Sequence, residues 1–353
     1  MERRRFLAAT AASAAAALAP MAASAAPTTA VGVGSASYHL RGGADRRNQS
    51  ESPLLDTLNF LNHCRELGAG GIQSRLSSFD NGYVKRVRKL AEASGMWFEV
   101  SLRMPRAAAE LDEFKDQVRA CRNAGVKVIR TVLSRGRRYE DVHSREAFED
   151  LSESAWKTIT LAEPTLRKNG MRAAIENHKD WRAPEFETLL ERLSSDYVGV
   201  TLDFGNNLSL LEDPIDTVEA LAPYAFSCHL KDHALREYED GFLLLDAPLG
   251  EGFMDLPRMV STLHQHKPSI RFTLETMTRD ALEIPYLKPK YWETFTDEDL
   301  PGRDVAKTLA LVKKTQPKDP FPLVSDLSPE VQLKLEDDNV RKGLAYARDV
   351  LNL

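Results

Sequence analysis

Four side chains that can bind a divalent cation each stand at the end of a short, mostly apolar segment. They are Glu176, Asp203, His229 and Glu275, which close the segments 171–176, 198–203, 225–229 and 270–275. Buried parallel strands have such apolar runs, and in a β/α barrel the carboxyl ends of the strands meet at one rim. Three carboxylates and one imidazole gathered there would bind a hard or borderline cation. The recurrence therefore predicts a metal site.

Strand-like and helix-like segments alternate between residues 31 and 314. The predicted strands are 31–38, 71–75, 97–103, 126–133 and the four segments named above, and helical patterns cover 53–67, 83–94, 107–124, 146–168 and 304–314. Strict alternation predicts an α/β fold, the (β/α)8 TIM barrel. An open doubly wound sheet is the alternative, but it would not bring four strand ends around one point.

Two connections are longer than a barrel requires. Residues 231–252 follow the seventh strand and residues 276–302 follow the eighth. Long loops at this rim usually build a substrate pocket. The second loop carries four aromatic residues that we expect to cap a small polar ligand: Tyr286, Tyr291, Trp292 and Phe295.

The two ends of the chain suggest segments outside the barrel. Residues 1–26 hold three consecutive arginines, an Ala-rich stretch and small residues near position 25, which is typical of a twin-arginine export signal. A periplasmic or secreted location follows, without a stable membrane anchor because the apolar stretch is too short. An N-terminal helix of the mature fold is the alternative. Residues 27–315 would form the barrel, and residues 316–353 a tail whose amphipathic helix covers the barrel or pairs subunits, so a homo-oligomer is one expectation.

Charge and cysteine content exclude other classes of protein. The formal net charge is −5, and the chain has no basic stripe, so nucleic acid is an improbable partner. Three cysteines without a CxxC motif are expected to be small buried residues rather than a disulfide framework.

The motifs at the strand ends resemble those of the sugar phosphate isomerase/epimerase group in the xylose isomerase-like TIM-barrel superfamily. They are Glu-Asn-His at 176–178, Leu-Asp-Phe-Gly-Asn at 202–206, His-Leu-Lys-Asp at 229–232, Gly-Glu-Gly at 250–252 and Leu-Glu-Thr at 274–276. The resemblance implies one divalent metal, manganese before magnesium, cobalt or zinc. Its ligands would be Glu176, Asp203, His229 and Glu275.

The sequence departs from two groups of this superfamily, the ketose 3-epimerases and the endonuclease IV relatives. Asn206 stands where ketose 3-epimerases of the superfamily tend to have a histidine three residues after the aspartate ligand. Endonuclease IV relatives need further histidine and glutamate ligands for a three-zinc cluster, and the sequence gives no sign of them.

The chemistry expected of such a site is proton transfer next to a sugar carbonyl. A chelated cation stabilises an enediolate, while Glu176 and Glu275 serve as ligand and general base on its two faces. Expected substrate contacts are His178, Lys231, Glu251, Arg103 and Asn206, with His39 and Gln73 also closing early strands. A surface position is the alternative for Lys231 and Glu251.

Three functions remain open at this stage. The first is a metal-dependent isomerase, epimerase or lyase acting on a small sugar, non-phosphorylated or a keto-sugar because sugar phosphates are cytoplasmic. The second is an exported sugar-binding barrel without catalysis. The third is metal-assisted hydrolysis of the endonuclease IV type.

Overall fold

The computed structural model describes residues 26–134 and 136–353, so residues 1–25 of the predicted export signal lie outside the described part. The described residues form eleven strands: β1 (Gly32–Gly34), β2 (Gly71–Ser74), β3 (Trp97–Ser101), β4 (Val128–Thr131), β5 (Arg172–Glu176), β6 (Val198–Asp203), β7 (Ala225–Leu230), β8 (Asp232–Tyr238), β9 (Gly241–Ala247), β10 (Phe272–Leu274) and β11 (Leu282–Ile284). Strands β1 to β7 and β10 are parallel and close into a barrel. The predicted TIM barrel is confirmed.

Helices surround the barrel and fill most strand-to-strand connections. They are α1 (His39–Arg47), α2 (Thr57–Glu66), α3 (Asn81–Ala93), α4 (Leu111–Asn123), α5 (Arg138–Asp141), α6 (Arg145–Asn169), α7 (Ala183–Leu193), α8 (Pro214–Leu221), α9 (Leu256–His266), α10 (Pro289–Trp292), α11 (Gly302–Thr315) and α12 (Pro329–Asp349). None of those in the described residues combines the length and the apolarity that crossing a bilayer requires.

Local sequence explains where the helices begin and end. The Asp56 side chain accepts hydrogen bonds from the backbone N–H groups of Leu58 and Asn59, and so caps the start of α2. Gly170 ends α6 with φ 61°, a left-handed conformation that costs glycine nothing. These signals fix the approach of each helix to the strand that follows.

The first predicted strand is shorter than expected. Only Gly32–Gly34 pairs with its neighbours, and residues 35–38 form a 3-10 turn that leads into α1, a helix that the sequence did not predict. Gly32 is required here because a Cβ at this position would lie 2.4 Å from the Trp97 ring.

The two long connections contribute to a second sheet rather than to open loops. β8 and β9 form an antiparallel hairpin, and β11 from the connection after β10 pairs with β9. The aromatic residues of that connection join a second apolar cluster. Tyr291 is 1% exposed, stacks on Phe295 and donates a hydrogen bond to the carbonyl of Ser209.

The helix that completes the barrel is α12. Helix α11, expected to be the eighth barrel helix, packs against β8 in the second cluster. Val340, Leu344 and Ala347 of α12 are buried in the main core, and Glu336 accepts hydrogen bonds from two backbone N–H groups at the start of α1. The predicted C-terminal helix is therefore an integral part of the barrel core.

Candidate metal centre

The register of the barrel brings the four predicted ligands to one rim. Asp203 and His229 are directly opposite each other on β6 and β7. Glu176 is the last residue of β5, and Glu275 follows the last residue of β10. One ligand atom from each of the four side chains lies within 4.8 Å of the others. The predicted convergence is therefore what the fold produces.

Two of these ligand atoms, Asp203 Oδ2 and His229 Nδ1, are buried and make no hydrogen bond of regular geometry within the described residues. Asp203 Oδ1 accepts hydrogen bonds from the backbone N–H groups of Gly205 and Asn206, whereas Oδ2 lies 3.1 Å from Lys231 Nζ. His229 Nδ1 is 3.5 Å from Asp203 Oδ2, 3.5 Å from Glu176 Oε2 and 3.2 Å from Glu275 Oε2. Three carboxylates this close together in a buried place repel one another. A divalent cation fits this set of three carboxylates and one imidazole because it would offset that repulsion and bind all four groups.

The other ring nitrogen of His229 faces a polar network behind the site. Nε2 is 2.8 Å from Gln73 Oε1, whose amide group donates to Glu99 at 3.2 Å. Ser227 also donates to Glu99 at 2.7 Å. Because the amide oxygen accepts, Nε2 carries a proton and Nδ1 is the nitrogen that faces the carboxylates. Burial lowers the pKa of His229, but Glu275 and Glu176 raise it to a net value well above the usual range, so a metal bound at Nδ1 would displace a proton.

Both carboxylate oxygens of Glu176 accept hydrogen bonds. Arg130 Nε donates to Oε2 at 2.6 Å, and Asn206 Nδ2 donates to Oε1 at 3.1 Å. Burial alone would raise the pKa of Glu176, but Arg130 and His229 more than offset this, so its pKa lies well below the usual range. Glu176 is therefore a fixed anionic ligand.

Glu275 is less constrained. Its side chain is 9% exposed against 1% for Glu176. Its contacts in the described residues, with Lys231 Nζ at 2.8 Å and His229 Nδ1 at 3.2 Å, are both made by Oε2. Burial raises the pKa of Glu275, but His229 and Lys231 lower it by more, so its net pKa lies well below the usual range. One carboxylate oxygen thus remains for another contact.

Three of the five predicted substrate contacts lie at this centre. Lys231 is buried between Asp203 and Glu275, Asn206 bonds Glu176, and His178 has an unpartnered Nδ1 with a pKa that burial lowers to about 4. Of the other two, Arg103 follows the carboxyl end of β3 and is exposed, and Glu251 pairs at the surface with Lys342 of α12 at 2.8 Å.

The Gly-Glu-Gly motif has a structural explanation instead. The Asp232 carboxylate accepts hydrogen bonds from the backbone N–H groups of Gly250, Gly252 and Met254. A Cβ on Gly252 would lie 2.1 Å from Asp232 Oδ1. The glycines therefore allow this loop to close on Asp232.

Sequence reasoning missed Arg130 and Lys179. Arg130 is a charged residue inside the apolar strand β4, which was the available signal. Lys179 directly follows the Glu-Asn-His motif, which was the available signal for it, and its ammonium group is buried beside Asn206.

The sequence matches one protein-family model and is similar to two curated proteins. Residues 61–311 match the model of the family described as xylose isomerase-like TIM barrel. Among curated proteins, 202 residues are 25% identical to the uncharacterized protein YihM of Escherichia coli, covering 55% of each chain. The chain thus spans about half the length of that relative. Over 252 residues it is 20% identical to the 3-oxo-isoapionate decarboxylase of Pectobacterium atrosepticum, covering 70% of this chain and 85% of that one.

Solved structures share the fold. A xylose isomerase-like TIM-barrel protein from Mycobacterium smegmatis, in complex with magnesium, has a TM-score of 0.55 at 14% identity, covering 81% of this chain and 98% of that one. D-psicose 3-epimerase, solved in the presence of D-fructose, has the same TM-score and identity, covering 83% of this chain and 93% of that one.

Proposed function

This chain belongs to the xylose isomerase-like TIM-barrel family, and on that premise we propose that it is a divalent-metal-dependent enzyme that isomerises or epimerises a small sugar. One observation carries the proposal: three buried carboxylates and His229 Nδ1 place their ligand atoms within 4.8 Å of one another at the rim of the barrel. Carboxylates gathered at one buried point repel each other, and a divalent cation would offset that repulsion.

A bound divalent cation supplies a Lewis acid that polarises adjacent hydroxyl and carbonyl oxygens and stabilises the negative charge developing there. Glu275 acts as the general base that removes the proton from the carbon next to the carbonyl. It suits that role better than Glu176 because both oxygens of Glu176 are occupied by Arg130 and Asn206. Returning the proton to the other face epimerises the sugar, and returning it to the adjacent carbon isomerises it.

The ligand set favours manganese as the metal. Carboxylates suit magnesium and manganese, whereas imidazole suits the transition metals, and manganese accepts both. Magnesium, cobalt and zinc are the alternatives. The magnesium complex of the Mycobacterium smegmatis protein supports a divalent cation in this fold.

A lyase reaction uses the same site. Loss of carbon dioxide from a 3-oxo acid leaves an electron pair next to a carbonyl, as proton removal does. The similarity to 3-oxo-isoapionate decarboxylase favours this as the second candidate. A three-zinc hydrolase is not supported, because the described residues contain a single group of this kind. Export by the twin-arginine pathway remains part of the proposal.

The test is exchange of carbon-bound hydrogen in heavy water. The full chain is stripped with chelator, reloaded with manganese or left bare, and given a panel of ketoses, aldoses and 3-oxo sugar acids. We expect NMR to show deuterium entering next to the carbonyl of at least one sugar, or loss of carbon dioxide from an acid, with the reloaded protein alone. Binding of sugars without either reaction would support the non-catalytic barrel and overturn the enzyme.

A further inference from the structure

Within the described residues, Lys179 is a buried ammonium group without a carboxylate at ion-pair distance. The residue is 4% exposed, and its Nζ donates a hydrogen bond to the Asn206 amide oxygen. No carboxylate within the described ranges lies at ion-pair distance from it. A buried charge normally has a counter-ion because desolvation disfavours the charged form. The site therefore lacks one negative charge next to Lys179.

The backbone at Lys179 is in a conformation that needs support. Its φ is 69°, in the left-handed region that residues with a Cβ rarely adopt. The N–H of Arg138 donates to the Lys179 carbonyl at 2.9 Å and helps to hold it there. Strained positions of this sort persist where the surrounding structure enforces them, and they cluster at ligand-binding sites.

Charges of both signs act on Lys179. Burial, Lys231 and Arg279 lower its pKa, Asp203 and Asp246 raise it, and the net pKa is about 8. Asp246 Oδ2 is paired with Arg279 at 2.7 Å, and Lys231 Nζ lies 3.9 Å from Asp246 Oδ1 and 3.1 Å from Asp203 Oδ2. A metal ion at the four ligands would add positive charge to the same rim. Both carboxylates are thus in contact with other cations rather than with Lys179.

Two further buried carboxyl groups bind groups other than Lys179. Glu99 binds Gln73 and Ser227, and Asp180 accepts from the backbone N–H groups of His178 and Trp181. Burial raises the pKa of both, that of Asp180 to about 7.

We propose that Lys179 binds an anionic group of the substrate beside the metal centre, so that the substrate is a sugar acid or another sugar bearing an oxyanion rather than a neutral sugar. The inference rests on the proposed function for its metal centre. The shared chemistry is an oxyanion, carboxylate or phosphate, that accepts a charge-assisted hydrogen bond from the ammonium group.

The test uses inert ligands that differ in one group. Gluconate and glucitol have the same six-carbon chain, with a carboxylate in one and a hydroxymethyl group in the other, and glucitol 6-phosphate provides the phosphate. Dissociation constants are measured by calorimetry on the manganese-loaded full chain. We expect one of the two anions to bind about tenfold tighter than glucitol or better, because a hydrogen bond to a charged group is worth at least that factor.

Three variants identify the source of the preference. Lys179→Met should remove it while leaving glucitol binding unchanged, and Lys179→Arg, which keeps the charge, should retain part of it. Lys127→Met changes an exposed lysine just before β4, at the opposite end of the barrel, and should retain all of it. Manganese content and melting temperature check that each variant is folded and loaded.

The outcomes separate this inference from the proposed function. Equal binding of glucitol and both anions, or an anion preference that survives in Lys179→Met, overturns the anion site, the latter because the metal alone would then account for it. Loss of the preference in Lys179→Met, with no hydrogen exchange or carbon dioxide release in any assay, upholds the anion site and overturns the enzyme.

Discussion

His229 Nε2 lies 2.8 Å from Gln73 Oε1, across the barrel from β7 to β2. This hydrogen bond keeps a proton on Nε2 and leaves Nδ1 as the nitrogen that faces the proposed metal, and Gln73 is in turn oriented by Glu99. Outer partners of this kind typically contribute 10- to 100-fold, roughly, in metal affinity.

Gln73→Met tests that relationship, because it keeps the length of the side chain and removes the acceptor. We expect the manganese dissociation constant to rise about 10- to 100-fold in competition with a chelating dye. Gln265→Met on the exposed face of α9 is the matched control. An unchanged dissociation constant in Gln73→Met would show that the tautomer does not depend on this contact.

Replacing Glu275 or Glu176 singly by glutamine should affect hydrogen exchange in different ways. At saturating manganese, Glu275→Gln should lower the rate of hydrogen exchange about 100-fold or more, since it removes the general base. Glu176→Gln should mainly weaken manganese binding and recover much of its exchange rate as manganese is raised. The reverse order of the two rates would assign the base to Glu176.

Leu344 of α12 tests whether the C-terminal helix belongs to the barrel core. It is 4% exposed within the main apolar cluster, so Leu344→Ala should lower the free energy of unfolding by about 2–5 kcal/mol. Leu323→Ala, at a position that is 53% exposed, is the matched control and should change the free energy of unfolding by less than about 0.5 kcal/mol. Urea unfolding measures both. If Leu344→Ala changes the free energy of unfolding as little as the Leu323 control does, α12 does not belong to the barrel core.

His233 should make the protein acid-sensitive. Burial lowers its pKa to about 4, whereas an unfolded histidine titrates near 6.5, so the unfolded chain binds more protons between these values. Stability is therefore present above pH 6.5 and is lost as the pH falls toward 4.

The His233 contribution between pH 7 and pH 4.5 is about 2–3 kcal/mol. Urea unfolding of the metal-free chain at these two pH values should show a smaller loss in His233→Gln by that amount. The exposed His266, substituted the same way, should leave the loss unchanged. A loss in His233→Gln equal to that of the unsubstituted chain would show that His233 is protonated without penalty.

The barrel and its four ligands were predictable because their signals are local. A strand buried on both faces shows as an apolar run, and a charged residue at its end needs a partner. The hairpin of β8 and β9 has a local signal too, an Asp-Gly pair at residues 240 and 241, although the length of the connection favours a loop.

The remaining features depend on contacts distant in sequence. Which helix fills the eighth position is decided by packing of α12 on β10, and the sequence places α11 first. The contacts of Arg130 and Gln73 are made with residues of other strands. No local pattern shows which polar residue of one strand meets which of another.

The measurement that tests the account most directly is the metal content of the full chain after incubation with manganese and dialysis. About one equivalent per chain is expected, falling to a small fraction in Asp203→Asn, which keeps the shape of the side chain but removes one negative charge from the ligand set. Glu251→Gln, at the surface pair with Lys342, should keep the full equivalent. An unsubstituted chain that retains no manganese, magnesium, cobalt or zinc, or an Asp203→Asn chain that retains as much as the unsubstituted one, would contradict a metal centre at these four residues.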